Sequence, residues 1–134
     1  MDGSLSPDRH PARIVVIDDD CDILAYLVAL LARHGFRCVA FLRPDEALEY
    51  IRAHPVSVVL SDIFMPEVDG IQLISEIKDC SPEAVVIGLS GYNQTYLRCM
   101  QALGAFACIA KPIDPAVLIE TIEQCLECGA TEGR

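Results

Sequence analysis

The stretch Val56-Ser57-Val58-Val59-Leu60-Ser61-Asp62, continued by Ile63-Phe64-Met65-Pro66-Glu67-Val68-Asp69-Gly70, decides how this chain folds. Its first part is a short apolar run rich in β-branched residues, entered after His54-Pro55 and left at an acidic residue, with Pro66 and Gly70 closing a loop. Such a run predicts a strand buried on both faces of a parallel sheet. A strand of this kind delivers its last residue to the carboxyl-end rim of the sheet, where open α/β folds place their ligands. Asp62 is therefore the first candidate functional residue. One aspartate at a strand end carries little weight alone, because loops are rich in aspartate. Three other strand ends give it company.

On the amino side, Arg13-Ile14-Val15-Val16-Ile17 predicts a first strand that ends on Asp18-Asp19-Asp20. A helix follows from about Cys21 to His34, with Asp20 or Asp22 as its cap and Gly35 as its stop. Phe36 to Phe41 reads as strand two, and Pro44 with Asp45 and Glu46 opens a helix that runs to about Ala53. On the carboxyl side, an apolar stripe from near Gly70 to Lys78 predicts helix three, and Ser81-Pro82 turns the chain into strand four, Ala84 to Ser90. Asn93 caps a helix reaching Leu103 and stopping at Gly104. Phe106 to Ala110 is strand five, followed by Lys111-Pro112, and Asp114-Pro115 opens a last helix to about Glu127 with Gly129 behind it. Residues 1–12 and 129–134 read as tails around one domain, residues 13–128.

Short apolar strands alternating with helices imply an α/β, doubly wound, five-stranded parallel sheet. Right-handed crossovers favour the strand order 2-1-3-4-5, a flavodoxin-like (βα)5 arrangement. Strands one and three are then neighbours at the switch point, and Asp18-Asp19 and Asp62 share one crevice.

Composition narrows the function classes. The chain has 134 residues and an apolar fraction of 52%, enough for one self-sufficient core and too apolar for general disorder. Twenty acidic residues against ten basic ones give a formal charge of −10, which argues against nucleic acid or an anionic membrane as main partner. Seven cysteines, an odd number scattered through apolar segments, read as free buried thiols in a reducing cytoplasm, and Cys125-x-x-Cys128 has no second pair to complete a zinc site. Residues 1–13 do not resemble a signal peptide, and the longest apolar run, Ile23 to Ala32, is too short to span a bilayer. The expectation is a soluble cytoplasmic protein.

Three carboxylates gathered in one crevice repel by a few kcal/mol per pair across about 4 Å unless something neutralises them. A hard divalent cation does so, and oxygen ligands of this kind suit Mg2+. Strand four ends in Ser90, a hydroxyl donor, and strand five in Lys111, a point positive charge suited to a phosphate oxygen. Nucleophilic carboxylate, metal, hydroxyl and ammonium along one edge suit in-line phosphoryl transfer onto a carboxylate. Each residue has a blander reading: Asp18 to Asp20 as a solvated turn and cap, Ser90 as an ordinary strand end, Lys111 as a surface lysine. All of these readings must hold together for the site to vanish.

On Asp18-Asp19, Asp62, Met65-Pro66, Gly70, Ser90, Gly104-Ala105 and Lys111-Pro112, the sequence resembles the response-regulator receiver domains typified by CheY, over roughly residues 13–128. The resemblance implies that Asp62 accepts a phosphoryl group from a phosphohistidine on a sensor histidine kinase or histidine phosphotransfer protein. It implies Mg2+ held by Asp19, Asp62 and the Phe64 backbone carbonyl, with Asp18 acting through a water. Ser90 and Lys111 would bind the phosphoryl oxygens, and Lys111-Pro112 would be cis.

The sequence departs from the family at Cys108, three residues before the lysine, where the family carries a switching aromatic ring. The phosphoacceptor reading survives this; the usual output mechanism does not come with it, although Phe106 or Tyr92 could partly substitute. Phe64 and Tyr92 border the site and either merely cap its loops or shield an acyl phosphate from water, in which case self-dephosphorylation takes minutes or longer. Helix one is apolar nearly all round, which suggests a docking surface for a phosphodonor bundle, a homodimer face, or simply a packed helix unusually rich in alanine and leucine.

The expected function is a stand-alone phosphoacceptor, not an enzyme acting on external substrates, that signals to an unknown downstream protein by contact or phosphorelay. The alternatives are a receiver cut from a longer regulator, a receiver-like interaction module with degenerate switching, and a phosphatase-like enzyme.

Overall fold

In the computed structural model of the chain, residues 13–62, 64–65, 68–90 and 105–132 are described. They form β1 (Arg13–Ile17), α1 (Cys21–Arg33), β2 (Arg37–Phe41), α2 (Pro44–Ala53), β3 (Val58–Asp62), α3 (Gly70–Cys80), β4 (Val85–Ser90), β5 (Ala105–Ala110) and a last helix (Pro115–Glu132). The five strands are parallel in the order β2-β1-β3-β4-β5, the order 2-1-3-4-5 expected of this alternation.

Strand alternation sorts the core into two layers. Ile14, Val16, Val58, Leu60, Ile87 and Leu89 pack with Leu24, Leu27 and Leu31 of α1 and with Leu118 and Ile122 of the last helix. Val15, Ile17, Val59 and Val86 face the other way, onto Leu48 and Ile51 of α2 and Leu73, Ile74 and Ile77 of α3. Both faces of the sheet are therefore covered, which is why its strands read as continuous apolar runs. Each fully buried Leu or Ile contributes about 2 kcal/mol.

Helix starts follow cap chemistry. Asp20 caps α1, accepting from the N–H groups of Asp22 and Ile23 at 2.9 and 3.4 Å. Asp69 caps α3 in the same way, accepting from Ile71 and Gln72 at 2.9 and 3.4 Å. After α1 the chain reverses at Gly35, whose φ of 84° lies in the left-handed region that a side chain disfavours.

Two details differ from the sequence reading, and a third bears on the alternatives it left open. The loop after Asp62 contains a short ribbon, Phe64–Met65 antiparallel to Val68–Asp69, too brief for a period of two to reveal. The last helix continues through Gly129 to Glu132, so residues 129–132 belong to it; a glycine costs a helix interior only about 1 kcal/mol and need not end it. Helix α1 is less of an oddity than its composition implies. Its leucines point into the core, and within its apolar run, Ile23 to Ala32, the exposed positions are Ala25, Ala29, Ala32 and Tyr26, the last 41% exposed. The helix expected from Asn93 to Leu103 lies outside the described residues.

Candidate functional site

Register decides which side chains meet. Ile17 pairs with Ser61 across β1 and β3, so the next residue of each chain, Asp18 and Asp62, emerge side by side. Across β3 and β4, Asp62 pairs with Leu89, which puts Ser90 one step beyond; Ser90 in turn pairs with Ala110 of β5, and Lys111 follows. The Lys111 N–H donates to the Ser90 carbonyl at 2.9 Å, and the Lys111–Pro112 peptide is cis, as the resemblance implies.

The side chains converge. Carboxylate oxygens of Asp18, Asp19 and Asp62 lie within 4.8 Å of one another, with Asp18 and Asp62 buried and Asp19 exposed. The Lys111 ammonium bridges the two buried carboxylates, 3.1 Å from Asp18 Oδ2 and 3.4 Å from Asp62 Oδ1. Asp18 is held on its other oxygen, where Oδ1 accepts from the Asp20 N–H at 2.9 Å. Ser90 is buried at the same rim.

The electrostatics follow from that packing. Burial alone pulls the Lys111 ammonium down, but the hydrogen bond and charge of Asp18, then the charge of Asp62, outweigh it and hold it above the ordinary lysine value. Two buried carboxylates are tolerable because this cation sits between them. With the third carboxylate, open to solvent, the cluster still carries more negative charge than one ammonium can neutralise. An all-oxygen donor set of this compactness fits a hard divalent cation such as Mg2+.

Comparison with known proteins agrees with this geometry. Residues 14–123 match the response regulator receiver domain family. The chain belongs to that family.

Among relatives of this receiver is the phosphoglycerate transport system transcriptional regulatory protein PgtA of Salmonella typhimurium, 32% identical over 115 residues that cover 84% of this chain and 28% of PgtA. The receiver thus spans little more than a quarter of that relative's length. Among solved structures, a CheY-like receiver domain protein from Methanospirillum hungatei JF-1 superposes with a TM-score of 0.85 at 28% identity, covering 90% of this chain and 98% of that one. The beryllofluoride-activated NtrC4 receiver domain dimer gives a TM-score of 0.83 at 29% identity, covering 87% and 98%.

In this receiver Cys108 is half-buried on β5, paired in register with Gly88 and packed beside the α2–α3 core layer. Burial pushes its thiol up, and a hydrogen bond with the Gly88 backbone only partly offsets this. Phe64 lies in the short ribbon two residues past Asp62; Tyr92 lies outside the described residues. Cys125, the first half of the CxxC, is 1% exposed within the apolar core, as a structural thiol is. Among the described residues, no helix is long and apolar enough to cross a membrane.

The sequence reading did not foresee that Lys111 would clamp Asp18 and Asp62 to each other. The Lys111–Asp18 contact joins residues 93 apart in sequence, and no local signal announces it. Nor did the reading name Asp69 as the cap that orients α3, although an aspartate just before the first helical residue was the available signal.

Proposed function

We propose that this receiver takes a phosphoryl group from a phosphohistidine onto Asp62. The observation that carries the reading is the ammonium of Lys111 shared between the buried Asp18 and Asp62 at a strand-end rim that also holds Ser90. An oxygen of Asp62 attacks phosphorus, the P–N bond to the donor imidazole breaks, and its electron pair returns to the leaving nitrogen. Lys111 exchanges its contact with Asp62 for one with a phosphoryl oxygen, which keeps the ammonium paired throughout. The Ser90 hydroxyl donates to a second phosphoryl oxygen. Asp19, Asp62 and the Phe64 backbone carbonyl would hold Mg2+, with Asp18 acting through a water. The ion supplies charge neutralisation for the incoming phosphoryl group.

The donor is a sensor histidine kinase or histidine phosphotransfer protein docking near α1. The receiver, residues 13–128, acts in the cytoplasm as a signalling domain and turns over no external substrate. Output passes to a downstream protein, by contact or relay, with neither nucleic acid nor membrane as its own partner. The beryllofluoride-activated NtrC4 receiver domain is a dimer, which makes a homodimer a reasonable form for this chain too. Membership in a longer regulator is supported by relatives such as PgtA, of which the matched region is 28%. Cys108 in place of the family's aromatic ring implies that output runs without the usual ring rotation. Phe64 and Tyr92 shield the acyl phosphate and make its loss slow, minutes or longer.

The test is incubation with Mg2+ and acetyl phosphate, followed by mass spectrometry and by decay after the donor is removed. Wild type gains one phosphoryl group and Asp62→Asn gains none. Multiple turnover of a phosphate ester, or no gain under any condition, would overturn the assignment.

A further inference from the structure

Asp20 closes the acidic run Asp18-Asp19-Asp20, yet it is not one of the three carboxylates that converge on the site. Its side chain turns to α1 instead. Oδ1 accepts from the N–H groups of Asp22 and Ile23 at 2.9 and 3.4 Å, and the Asp20 carbonyl accepts from the Leu24 N–H at 3.1 Å. The residue is extended, with φ −102° and ψ 109°, and in that conformation its own N–H donates to Oδ1 of Asp18 at 2.9 Å.

The bonds to Asp22 and Ile23 are those of any helix cap. The bond to Asp18 is of another kind, because Asp18 is a buried carboxylate, 0% exposed, whose two oxygens both need partners. Lys111 holds Oδ2 at 3.1 Å and the Asp20 N–H holds Oδ1. A carboxylate gripped on both oxygens cannot turn about its Cβ–Cγ bond without giving up one of them. Its backbone is tied as well, since the Asp18 N–H donates to the Phe41 carbonyl at 3.2 Å. Of these anchors, the one at Oδ1 hangs on the helix cap, because the cap fixes the direction of the Asp20 N–H.

We propose that Asp20 is a positioning residue for the Mg2+ site: its side chain caps α1, and the cap holds its N–H on Asp18. This role rests on the proposed function in one respect, that the acidic cluster seats Mg2+. Groups that orient a metal's ligands from behind typically matter about 10–100-fold to metal affinity. Capping depends on an acceptor in the right place and not on charge, so Asn and Ser cap about as well as Asp, and Ala does not. If Asp20 acted only as one more negative charge beside the pocket, the variants would order differently, with Asn, Ser and Ala losing it alike.

The experiment measures Mg2+ affinity by titration calorimetry on wild type, Asp20→Asn, Asp20→Ser and Asp20→Ala, with hydrogen exchange of the residue-20 amide read by NMR in Mg2+-free buffer. Asn and Ser stay within about threefold of wild type. Ala binds Mg2+ about tenfold or more weakly, and its residue-20 amide exchanges faster while the amides of β1 and β3 keep their protection. Asp20→Gly lacks the acceptor but costs a cap position little stability, so it weakens binding as Ala does even if the Ala variant folds poorly. The proposal is overturned if Ala and Gly bind like wild type, if Asn and Ser weaken as far as Ala, or if residue-20 exchange is the same in all. Acetyl phosphate tells its failure from that of the proposed function. A wild type that binds Mg2+ without gaining a phosphoryl group sinks the function and leaves the positioning role standing; a wild type with no affinity for millimolar Mg2+ overturns both.

Discussion

Replacing Lys111 with methionine removes the cation that the structure places between two buried carboxylates. Its ammonium is 3.1 Å from Asp18 and 3.4 Å from Asp62, with a lysine side chain 22% exposed against 0% and 6% for the aspartates. At an effective dielectric of about 20, each contact is worth roughly 5 kcal/mol of gross attraction. Most of that is offset by the water that all three groups gave up, and breaking a buried pair typically costs about 3–5 kcal/mol. Discounting for the partial exposure of the lysine, we expect Lys111→Met to lose about 2–4 kcal/mol of stability in metal-free buffer at neutral pH. The sign of the pH dependence follows from proton uptake. Asp18 and Asp62 hold the folded Lys111 above the ordinary lysine value of 10.5, so its contribution is full below that pH and is lost as pH rises through the raised value, where the deficit of the variant shrinks. Millimolar Mg2+ should shrink it too, by restoring positive charge to the same cluster. Urea denaturation with EDTA or with Mg2+, at neutral and alkaline pH, reads all of this. A variant as stable as wild type in EDTA, or a deficit indifferent to both pH and Mg2+, would refute the clamp.

Asp69→Ala should cost about 1 kcal/mol, because two N–H groups of the first turn of α3 lose their acceptor, and Asp69→Ser should recover most of it in the same denaturation assay. Leu60→Ala, at a fully buried position in the middle of β3, should cost about 2–5 kcal/mol, and a smaller loss would mean that this layer is not closely packed. Thiol labelling mapped by mass spectrometry at neutral pH should find exposed Cys21 before Cys38 and Cys108. Cys38 and Cys108, whose thiols burial pushes up, should lag and then speed up as pH rises and the thiolate fraction grows. Cys108 labelling as fast as Cys21 would place it on an open surface.

Much of this architecture was legible because the fold repeats one simple unit. Apolar runs of about five residues, four of the five closed by Asp, Ser or Lys, name strands and strand ends at once, and Pro44, Gly35 and Asp114-Pro115 punctuate the helices between them. Helix α2 begins and ends where its proline and following turn place it. Less legible were features whose signal is not local. The ribbon at Phe64–Met65 has two residues per side, and the last helix passes through Gly129, a residue type that more often marks a helix end. Helix α1 looked apolar all round because alanine counts as apolar, whereas packing separates alanines outside from leucines inside.

By itself, the sequence determined the alternation of strands and helices, the acidic residues at two strand ends, and the hydroxyl and ammonium at two others. Those follow from periodicity and residue chemistry along a single line of chain. Only the tertiary structure decided that Asp18 and Asp62 are buried while Asp19 is open, and that Lys111 ties the first two together. Burial and charge pairing depend on distances between residues far apart in the chain. Those distances are set by strand register and by which face of the sheet each helix covers.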